Sequence, residues 1–353
     1  MIVDPTTHTR THSWVHSRQQ RIQGNLKRSH NVDDKSDISI SEEENDYWQI
    51  LLQDQASISY PTDEQQANYH QQDQEIDIVR KSITDYMNKV SENMNLSLFT
   101  TQMAIVHLDQ LISKYDISKI EKQMQLWAIS LLLVASKFNE LEAEVPFIEE
   151  LKKQLTKIKY SYKSIVRWEM EICKKLDWAF FGVCPLTFTK AHQHFGMLFW
   201  DDKLLMGKHR PVYFEISKML SMSKEVKGQL KVKLKNIYKF SEFFTSIVLQ
   251  LSEARKYPHS LQSLSAVVVA RKIVKVEPIW NSKFAKRIPH TYKDIEKLVD
   301  CMYAKYQKIN NKSDQKSEQK ENKITTVQMN INEQDDAVSE IRNTYLIKSH
   351  RFR

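Results

Sequence analysis

Residues 122–145 read KQMQLWAISLLLVASKFNELEAEV, and this stretch decides how the rest of the chain must fold. Residues 126–135 are all apolar except Ser130. Because a helix that is apolar on nearly every side must be enclosed by other helices, the stretch predicts a central helix buried inside a helical bundle. The apolar run is followed closely by Lys137 and Phe138. A cation and an aromatic ring at the end of a buried helix are well placed to contact a partner.

The composition of the 353-residue chain favours an all-α protein and argues against several enzyme classes. Only 5 residues are Gly and 8 are Pro, whereas Leu, Ile, Lys, Gln and Glu are frequent. No two glycines lie close together, which excludes the usual glycine-rich loops that hold nucleotide phosphates. The three cysteines, Cys173, Cys184 and Cys301, are too scattered for a disulfide framework or a zinc site. We therefore expect no cofactor and no bound metal.

The charge balance and the hydropathy pattern limit the environment of the protein. The formal net charge of +8 permits contact with nucleic acid or acidic partners but does not require it. The cysteine usage suits a reducing compartment. The first twenty residues lack the apolar core of a signal peptide, and the longest apolar run is about half of the ~20 residues that a membrane span needs. We expect a protein of the nucleus, the cytoplasm or both, without membrane contact.

Composition divides the chain into four parts. Residues 1–44 and 311–353 are polar, and we expect both to form mostly disordered tails. Between them, Gly182 and Pro185 interrupt the helical pattern, so we place a domain boundary between 45–183 and 184–310.

Helical periodicity recurs through both central parts. Residues 263–276 (SLSAVVVARKIVKV) are the counterpart of the apolar run in the first part, which predicts two similar five-helix modules in tandem. The predicted helices begin near Asp46 and after Pro146, and otherwise span about 75–93, 99–114, 121–138, 161–177, 186–199, 212–222, 235–253, 260–275 and 292–306.

Four segments of the chain together form a characteristic set. They are Asp46-Tyr47-Trp48 with Leu51, TTQMAIVHLDQLIS (100–113), Gln123-Met124-Gln125-Leu126 leading to Ala135-Ser136-Lys137-Phe138, and Arg167-Trp168-Glu169 leading to Leu176, Trp178 and Pro185-Leu186-Thr187-Phe188. Through these residues the central region resembles the cyclins, especially those of the A and B type. The resemblance covers about 46–190 and extends more weakly through 235–306. It implies an all-α protein with two tandem five-helix cyclin-box folds, an N-terminal helix and disordered tails.

This resemblance implies a non-catalytic regulatory subunit that binds and activates a cyclin-dependent protein kinase in cell-cycle control. Lys137 and Glu169 match the lysine and glutamate with which the family holds the kinase. Without the resemblance, such a pair would be read as a surface salt bridge worth ~0–1 kcal/mol, and apolar residues at helical spacing as ordinary core. The further residues that fall where the family contacts the kinase are Phe138, Glu140, Leu141, Trp178, Tyr47 and Leu51.

The resemblance also implies a groove for substrate docking peptides. Ser82 replaces an apolar residue there, and Lys89 stands where the family usually has an acid, so basic docking peptides would be repelled. The residues that match the groove are Val79, Ile83, Tyr86, Met124 and Gln125.

Two further motifs lie in the second half of the chain. Lys320, Glu321 and Asn322 form a string like the KEN degron, although three such residues arise easily by chance in a polar tail. A basic stretch would bind phosphate or nucleic acid, or serve only as a solvated helix face. Its members are Lys224, Lys227, Lys231, Lys233, Lys235 and Lys239.

Two alternatives to a kinase activator remain open from the sequence. One is a transcription factor with tandem cyclin folds that binds DNA or the transcription machinery. That class needs basic residues over both modules, whereas here they concentrate in the second half and the tail, so nucleic-acid binding is not expected. The other alternative is a cyclin-fold scaffold that has lost the ability to activate a kinase.

Overall fold

A computed structural model describes residues 42–56, 58, 72–112, 123–155, 160–180, 182–199, 201–206, 212–215 and 223–324, with the side chains of 72–74, 212, 214 and 311–324 left out of the description. The described residues all belong to one compact unit. Of the tails predicted at 1–44 and 311–353, residues 1–41 and 325–353 lie outside them, whereas 42–44 and 311–324 are helical. No helix in the described part is both long and apolar enough to cross a membrane.

The described residues of the first part of the unit form six α-helices, and the last five of these make up what we call the N-terminal bundle. Helix α4 is its centre, because α2, α3 and α6 all pack against it. Its residues from Gln125 to Ser136 are all buried, so the apolar run does form the enclosed helix that the sequence predicts. The helices are α1 (Glu42–Ala56), α2 (Gln72–Asn93), α3 (Leu98–Ile112), α4 (Met124–Asn139), α5 (Ile148–Lys153) and α6 (Tyr162–Lys175).

The second part, the C-terminal bundle, repeats this arrangement around helix α9. Helices α7, α8 and α11 pack against α9, whose sequence from His259 to Arg271 is wholly buried. The prediction of a second enclosed helix is therefore confirmed. The helices are α7 (Pro185–Phe195), α8 (Lys224–Leu249), α9 (His259–Val274), α10 (Lys283–Arg287) and α11 (Tyr292–Ile324).

A small sheet corrects one predicted helix. Residues 212–222 were expected to be helical, but Val212–Glu215 form strand β2. This strand pairs antiparallel with β1 (Lys203–Met206), which also pairs with β3 (Val276–Glu277). The strand is held by this pairing with β1. Residues 216–222 lie outside the described part.

Two other boundaries differ from the sequence prediction. Helix α8 begins at Lys224, eleven residues before the expected start, and α11 continues to Ile324 instead of ending near 306. Both extensions are rich in lysine, glutamine and glutamate, which favour a helix. In α8 the extension also has apolar residues four apart, of which Val226 and Leu230 pack on the core, so its periodicity was present in the sequence but was missed.

Buried polar contacts hold the two bundles together. The Gln102 side chain on α3 donates to the Thr245 hydroxyl at 2.6 Å and accepts from the Leu186 backbone N–H at 3.0 Å. Nearby, the Arg255 guanidinium lies 3.1 Å from the Asp77 carboxylate on α2. Because a buried amide with satisfied hydrogen bonds is costly to displace, these contacts fix the orientation of one bundle on the other.

Helix α1 packs on the C-terminal bundle. Trp48 is fully buried and stacks beside Phe188 of α7 at 6.4 Å between ring centroids. At one end of α1 the Glu44 carboxylate pairs with Arg287 at 2.7 Å, and near the other end the Gln55 side chain accepts from the Ser260 N–H at 2.7 Å. The N-terminal helix is thus anchored at both ends to the C-terminal bundle.

Candidate partner-binding site

Lys137 and Glu169 lie together at the surface of the N-terminal bundle. Lys137 is in the last turn of the buried helix α4, and its Nζ is 2.5 Å from Oε1 of Glu169 on α6. The lysine side chain is 44% exposed and the glutamate side chain 18% exposed. The pair is therefore made within the chain while its cationic end remains open to solvent.

The pair rests on an apolar floor. Cys173 lies one turn after Glu169 on α6 and is buried. Burial, with a smaller contribution from the Glu169 carboxylate, raises the pKa of the Cys173 thiol to about 11. The thiol is therefore neutral at physiological pH and adds no charge beside the ion pair.

Next to the ion pair, the exposed rings of Phe138 and Trp178 pack on a third ring, Phe180. The Phe138 ring packs on Phe180 with 4.2 Å between centroids, and Trp178 meets the same Phe180 edge-on at 6.1 Å. Phe180 itself is buried, so it serves as the base on which the other two rings stand. Trp178 is 57% exposed. A large aromatic ring held open in this way offers substantial apolar area to a partner.

The backbone that presents Trp178 is strained. Asp177 and Trp178 both have positive φ angles, 52° and 57°, directly after the end of α6. For a bulky side chain, this left-handed region is rarely occupied and costs of the order of 1–3 kcal/mol. Such strain persists only where the surroundings impose it and is concentrated at functional sites. The conformation is therefore an independent indication that the position of the Trp178 ring matters.

The segment after α4 adds further exposed apolar side chains. Leu141 and Phe147 are both largely exposed on either side of a short 3-10 helix, Glu142–Glu144. Glu140, by contrast, is occupied within the chain, because its carboxylate accepts a 2.6 Å hydrogen bond from the Ser97 N–H. Glu140 thus ties the end of α4 to the start of α3, and its predicted role as a kinase contact remains a prediction.

The outer face of α6 carries a stripe that the sequence prediction missed. Tyr162, Val166 and Met170 are all exposed and recur every four residues. Residues at this spacing share one side of a helix, and here that side borders Glu169. Together with Lys163 and Arg167 they line an open surface depression of about 560 Å³. The four-residue spacing of these side chains can be read from the sequence, but such spacing of apolar residues usually predicts the side of a helix that faces the core.

The two residues predicted as kinase contacts on α1 face the chain itself. Leu51 is buried in the cluster that α1 forms with the C-terminal bundle, which corrects the expectation that it lies on a binding surface. Tyr47 is half-buried against Phe195, with 5.4 Å between ring centroids. The physical reason is that α1 packs by its apolar side on α7; among its large apolar side chains, Ile50 is the exposed one.

Three of the residues that match the docking groove are buried in the N-terminal bundle. Val79 and Ile83 lie on the inward side of α2, and Gln125 lies at the start of α4. Their part in docking remains a prediction. Tyr86, whose hydroxyl donates to the Gln154 carbonyl at 2.5 Å, and Met124 are half-buried, and their role in docking remains a prediction.

The second-half motifs fall in two different helices. Lys320, Glu321 and Asn322 belong to the last turns of α11, where side chains lie outside the described part. Their role as a degron remains a prediction. The basic stretch lies on α8 between Lys224 and Lys239, where Lys224, Lys231 and Lys235 are exposed.

Family comparisons agree with this architecture. Residues 46–180 match the model of the cyclin N-terminal domain, and residues 216–335 match that of the cyclin C-terminal domain. The two matches together cover well over half of the chain. The protein therefore belongs to the cyclin family, with two cyclin-box domains that correspond to the N-terminal and C-terminal bundles.

Individual relatives are distant. Cyclin-J of Xenopus laevis is 25% identical over 230 residues, which cover 64% of this chain and 53% of that protein. Human Cyclin-J is 24% identical over 228 residues, covering 64% and 52%. Cyclin puc1 of Schizosaccharomyces pombe is 31% identical over 100 residues, covering 28% and 27%. The chain thus spans about half the length of the J-type relatives.

The subtype is less well defined than the family. Plant D-type cyclins also match, among them Cyclin-D3-1 of Arabidopsis thaliana at 27% identity over 111 residues, which cover 31% of this chain and 29% of that protein. Among solved structures, a viral cyclin from herpesvirus saimiri matches with a TM-score of 0.46 and 11% identity, covering 65% of this chain and 84% of that one. The particular likeness to A and B types remains a prediction.

Proposed function

We propose that this cyclin is a non-catalytic subunit that binds and activates a cyclin-dependent protein kinase. The observation that supports this most is the open ion pair of Lys137 and Glu169, with the Trp178 ring exposed on the same side of the bundle. The proposal also includes a role in cell-cycle control, an A- or B-type character and a location in the nucleus or cytoplasm.

The surface chemistry suits a stable protein interface. Exposed aromatic and aliphatic side chains concentrated around a charged pair are typical of the centre of such interfaces. Once a partner covers them, the Lys137 ammonium and the Glu169 carboxylate would form charge-assisted hydrogen bonds shielded from water. The exposed apolar side chains on the elements that carry the pair and on the segments that follow them are Phe138, Leu141, Phe147 and Trp178, with Tyr162, Val166 and Met170 along α6.

Binding of this kind can activate a kinase without any chemistry by the cyclin. Phosphoryl transfer requires that a strand lysine pair with a glutamate on a mobile helix of the kinase. A rigid surface that binds only the paired conformation shifts the population toward it. Moving a kinase from about 1% to about 99% active takes about 5.5 kcal/mol of differential binding, which an interface above about 2,000 Å² can supply.

Two single substitutions test the proposal. Lys137→Ala and Glu169→Ala are expected to reduce both co-purification with the kinase and stimulation of its phosphotransfer. Lys190→Ala is the matched control, because Lys190 and Glu242 form a similar pair on the C-terminal bundle, 2.6 Å apart with side chains 55% and 20% exposed. Loss of this pair should leave the kinase unaffected.

Three results would go against the proposal. If both Lys137→Ala and Glu169→Ala bind and activate the kinase as well as the unmodified protein, the assignment of this pair is wrong. If Lys190→Ala is equally defective, the effect is not specific to the site. If instead the protein binds duplex DNA in a salt-sensitive way and recovers no kinase, the transcription-factor alternative is favoured.

A further inference from the structure

A histidine is buried where helix α1 packs on the C-terminal bundle. His192 on α7 is 0% exposed. Its imidazole lies against the Trp48 ring of α1, with 4.7 Å between ring centroids, and against the Phe284 ring of α10 at 5.7 Å. Within the described part of the chain, neither nitrogen of this imidazole has a hydrogen-bond partner. His192 therefore fills an aromatic pocket as an apolar ring would, although it carries two polar nitrogens.

The charged groups at this contact oppose protonation of the histidine. The charge that acts on the His192 imidazole is that of Arg287 on α10, which is a cation. The Glu44 carboxylate of α1 is already bound to Arg287 at 2.7 Å and accepts from Trp48 Nε1 at 3.4 Å. Burial, and secondly the charge of Arg287, lower the pKa of His192 well below its ordinary value of 6.5. His192 is therefore neutral while α1 is docked.

The other ionisable groups near the contact lie on the same packed elements. His194, two positions further along α7, is exposed. Arg271 of α9, whose guanidinium lies over the Phe284 ring, is already paired with Asp202. His259 lies at the start of α9, near the other end of α1, and burial lowers its pKa to about 4. A pH effect on α1 has therefore to be separated from the titration of His259. The other acids in the first turns of α1 are all exposed, namely Glu42, Glu43 and Asp46.

Helix α1 is held on the C-terminal bundle by a small contact. Of its 15 residues, Trp48, Leu51 and Gln55 are buried, and residues 57–71 separate it from α2. A helix of this length is only marginally stable in water by itself, so α1 depends on its docked position. Elements with few buried side chains open locally at a lower free energy than the whole fold. Release of α1 would remove Trp48 from one side of His192 and let water reach the imidazole.

We propose that helix α1 is a pH-sensitive element, which docks on the C-terminal bundle with His192 neutral and is released more readily when that imidazole takes up a proton. Once released, His192 should titrate near the ordinary histidine pKa of about 6.5. Because only the released state then binds the proton, docking weakens as the pH falls below about 6.5. From pH 7.5 to pH 5.5 the ratio of docked to released α1 should fall about tenfold. The inference concerns the free chain and does not depend on the proposed function.

Hydrogen exchange of the full chain, followed by mass spectrometry, measures the release of α1. The protection factors of the amides in 42–56, which correct for the intrinsic pH dependence of exchange, should fall about tenfold between pH 7.5 and pH 5.5. This fall should disappear in His192→Gln and in His192→Phe, because neither new side chain titrates and the second keeps an aromatic ring in the pocket. His194→Gln is the matched control, since it makes the same change at an exposed position of the same helix. It should keep the full tenfold fall.

Three results would overturn the proposal. The first is a protection factor in 42–56 that stays constant between pH 7.5 and pH 5.5 in the unmodified protein. The second is a fall that persists in both His192 variants, which would assign the effect to another group such as His259. The third is exchange in α1 no faster than in the enclosed helix α4, which would show that α1 opens only when the whole unit unfolds. Circular dichroism checks the fold of each variant, and His192→Phe replaces His192→Gln if the latter does not fold.

Discussion

Replacement of Trp178 by alanine should affect kinase binding far more than folding. The ring is 57% exposed in the free protein. A tryptophan side chain buries up to about 250 Å², so a partner that covers the exposed part removes roughly 140 Å² from water. At about 25 cal/mol per Å² this is worth roughly 3 kcal/mol, or more than a hundredfold in Kd. The edge-on contact with Phe180 is the main loss within the chain, so stability should fall by less than about 1 kcal/mol.

The assay compares kinase affinity, by isothermal titration calorimetry, with the free energy of unfolding in urea. Tyr213→Ala is the control, because Tyr213 is an exposed aromatic residue on strand β2 of the C-terminal bundle. It should leave kinase affinity within about twofold. The reasoning is refuted if Trp178→Ala weakens binding no more than the control does, or if its main effect is to unfold the protein.

Three further predictions concern the rest of the chain. The Arg271 guanidinium and the Asp202 carboxylate form a fully buried pair, 2.7 Å apart. Arg271→Met leaves this carboxylate buried without its partner and should lower the free energy of unfolding, measured in urea, by about 3–5 kcal/mol. A loss below about 1 kcal/mol would contradict this. Burial lowers the pKa of His107 to about 4, so between about pH 6.5 and 4 the unfolded chain binds a proton that the folded chain does not, and stability falls as the pH falls. The free energy of unfolding, measured in urea, should therefore fall between pH 7 and pH 4, and His107→Gln should make this fall smaller by up to about 3 kcal/mol. An equal fall in the variant and the unmodified protein would contradict the lowered pKa of His107. Lys231→Glu should raise the free energy of unfolding by about 0.5–1 kcal/mol, seen as a higher Tm, because it turns repulsion from Lys227 and Lys235, one turn away on α8, into attraction. A lower Tm would contradict this.

The enclosed helices were the most predictable part of the fold. A run such as 126–135 leaves no polar side to face water, so burial on all sides follows from the sequence alone. The same holds for 263–276 in the second half. Strand β2 was not predictable, because Val212–Glu215 is too short to show a period and is stabilised by pairing with β1. Tertiary pairing, and not local preference, decided its conformation.

The candidate site was predictable only in part. The proximity of Lys137 and Glu169 was expected from the resemblance, and the structure places them together. The sequence did not predict whether an apolar residue of a helix faces the core or a partner, because helical spacing of apolar residues is the same in both cases. Leu51 and Val79 are examples, since the structure buries both. The strained turn at Trp178 also leaves no mark in the sequence, since a positive φ at a bulky residue contradicts its local preference.

Hydrogen exchange of the full chain, with and without the kinase, tests most directly whether the surface around the ion pair is the kinase-binding site. We predict slower amide exchange in the complex at 137–147 and 162–180, and unchanged exchange in α8 and α11. Unchanged exchange at 137–147 and 162–180, with protection confined to the C-terminal bundle, would contradict the proposed site.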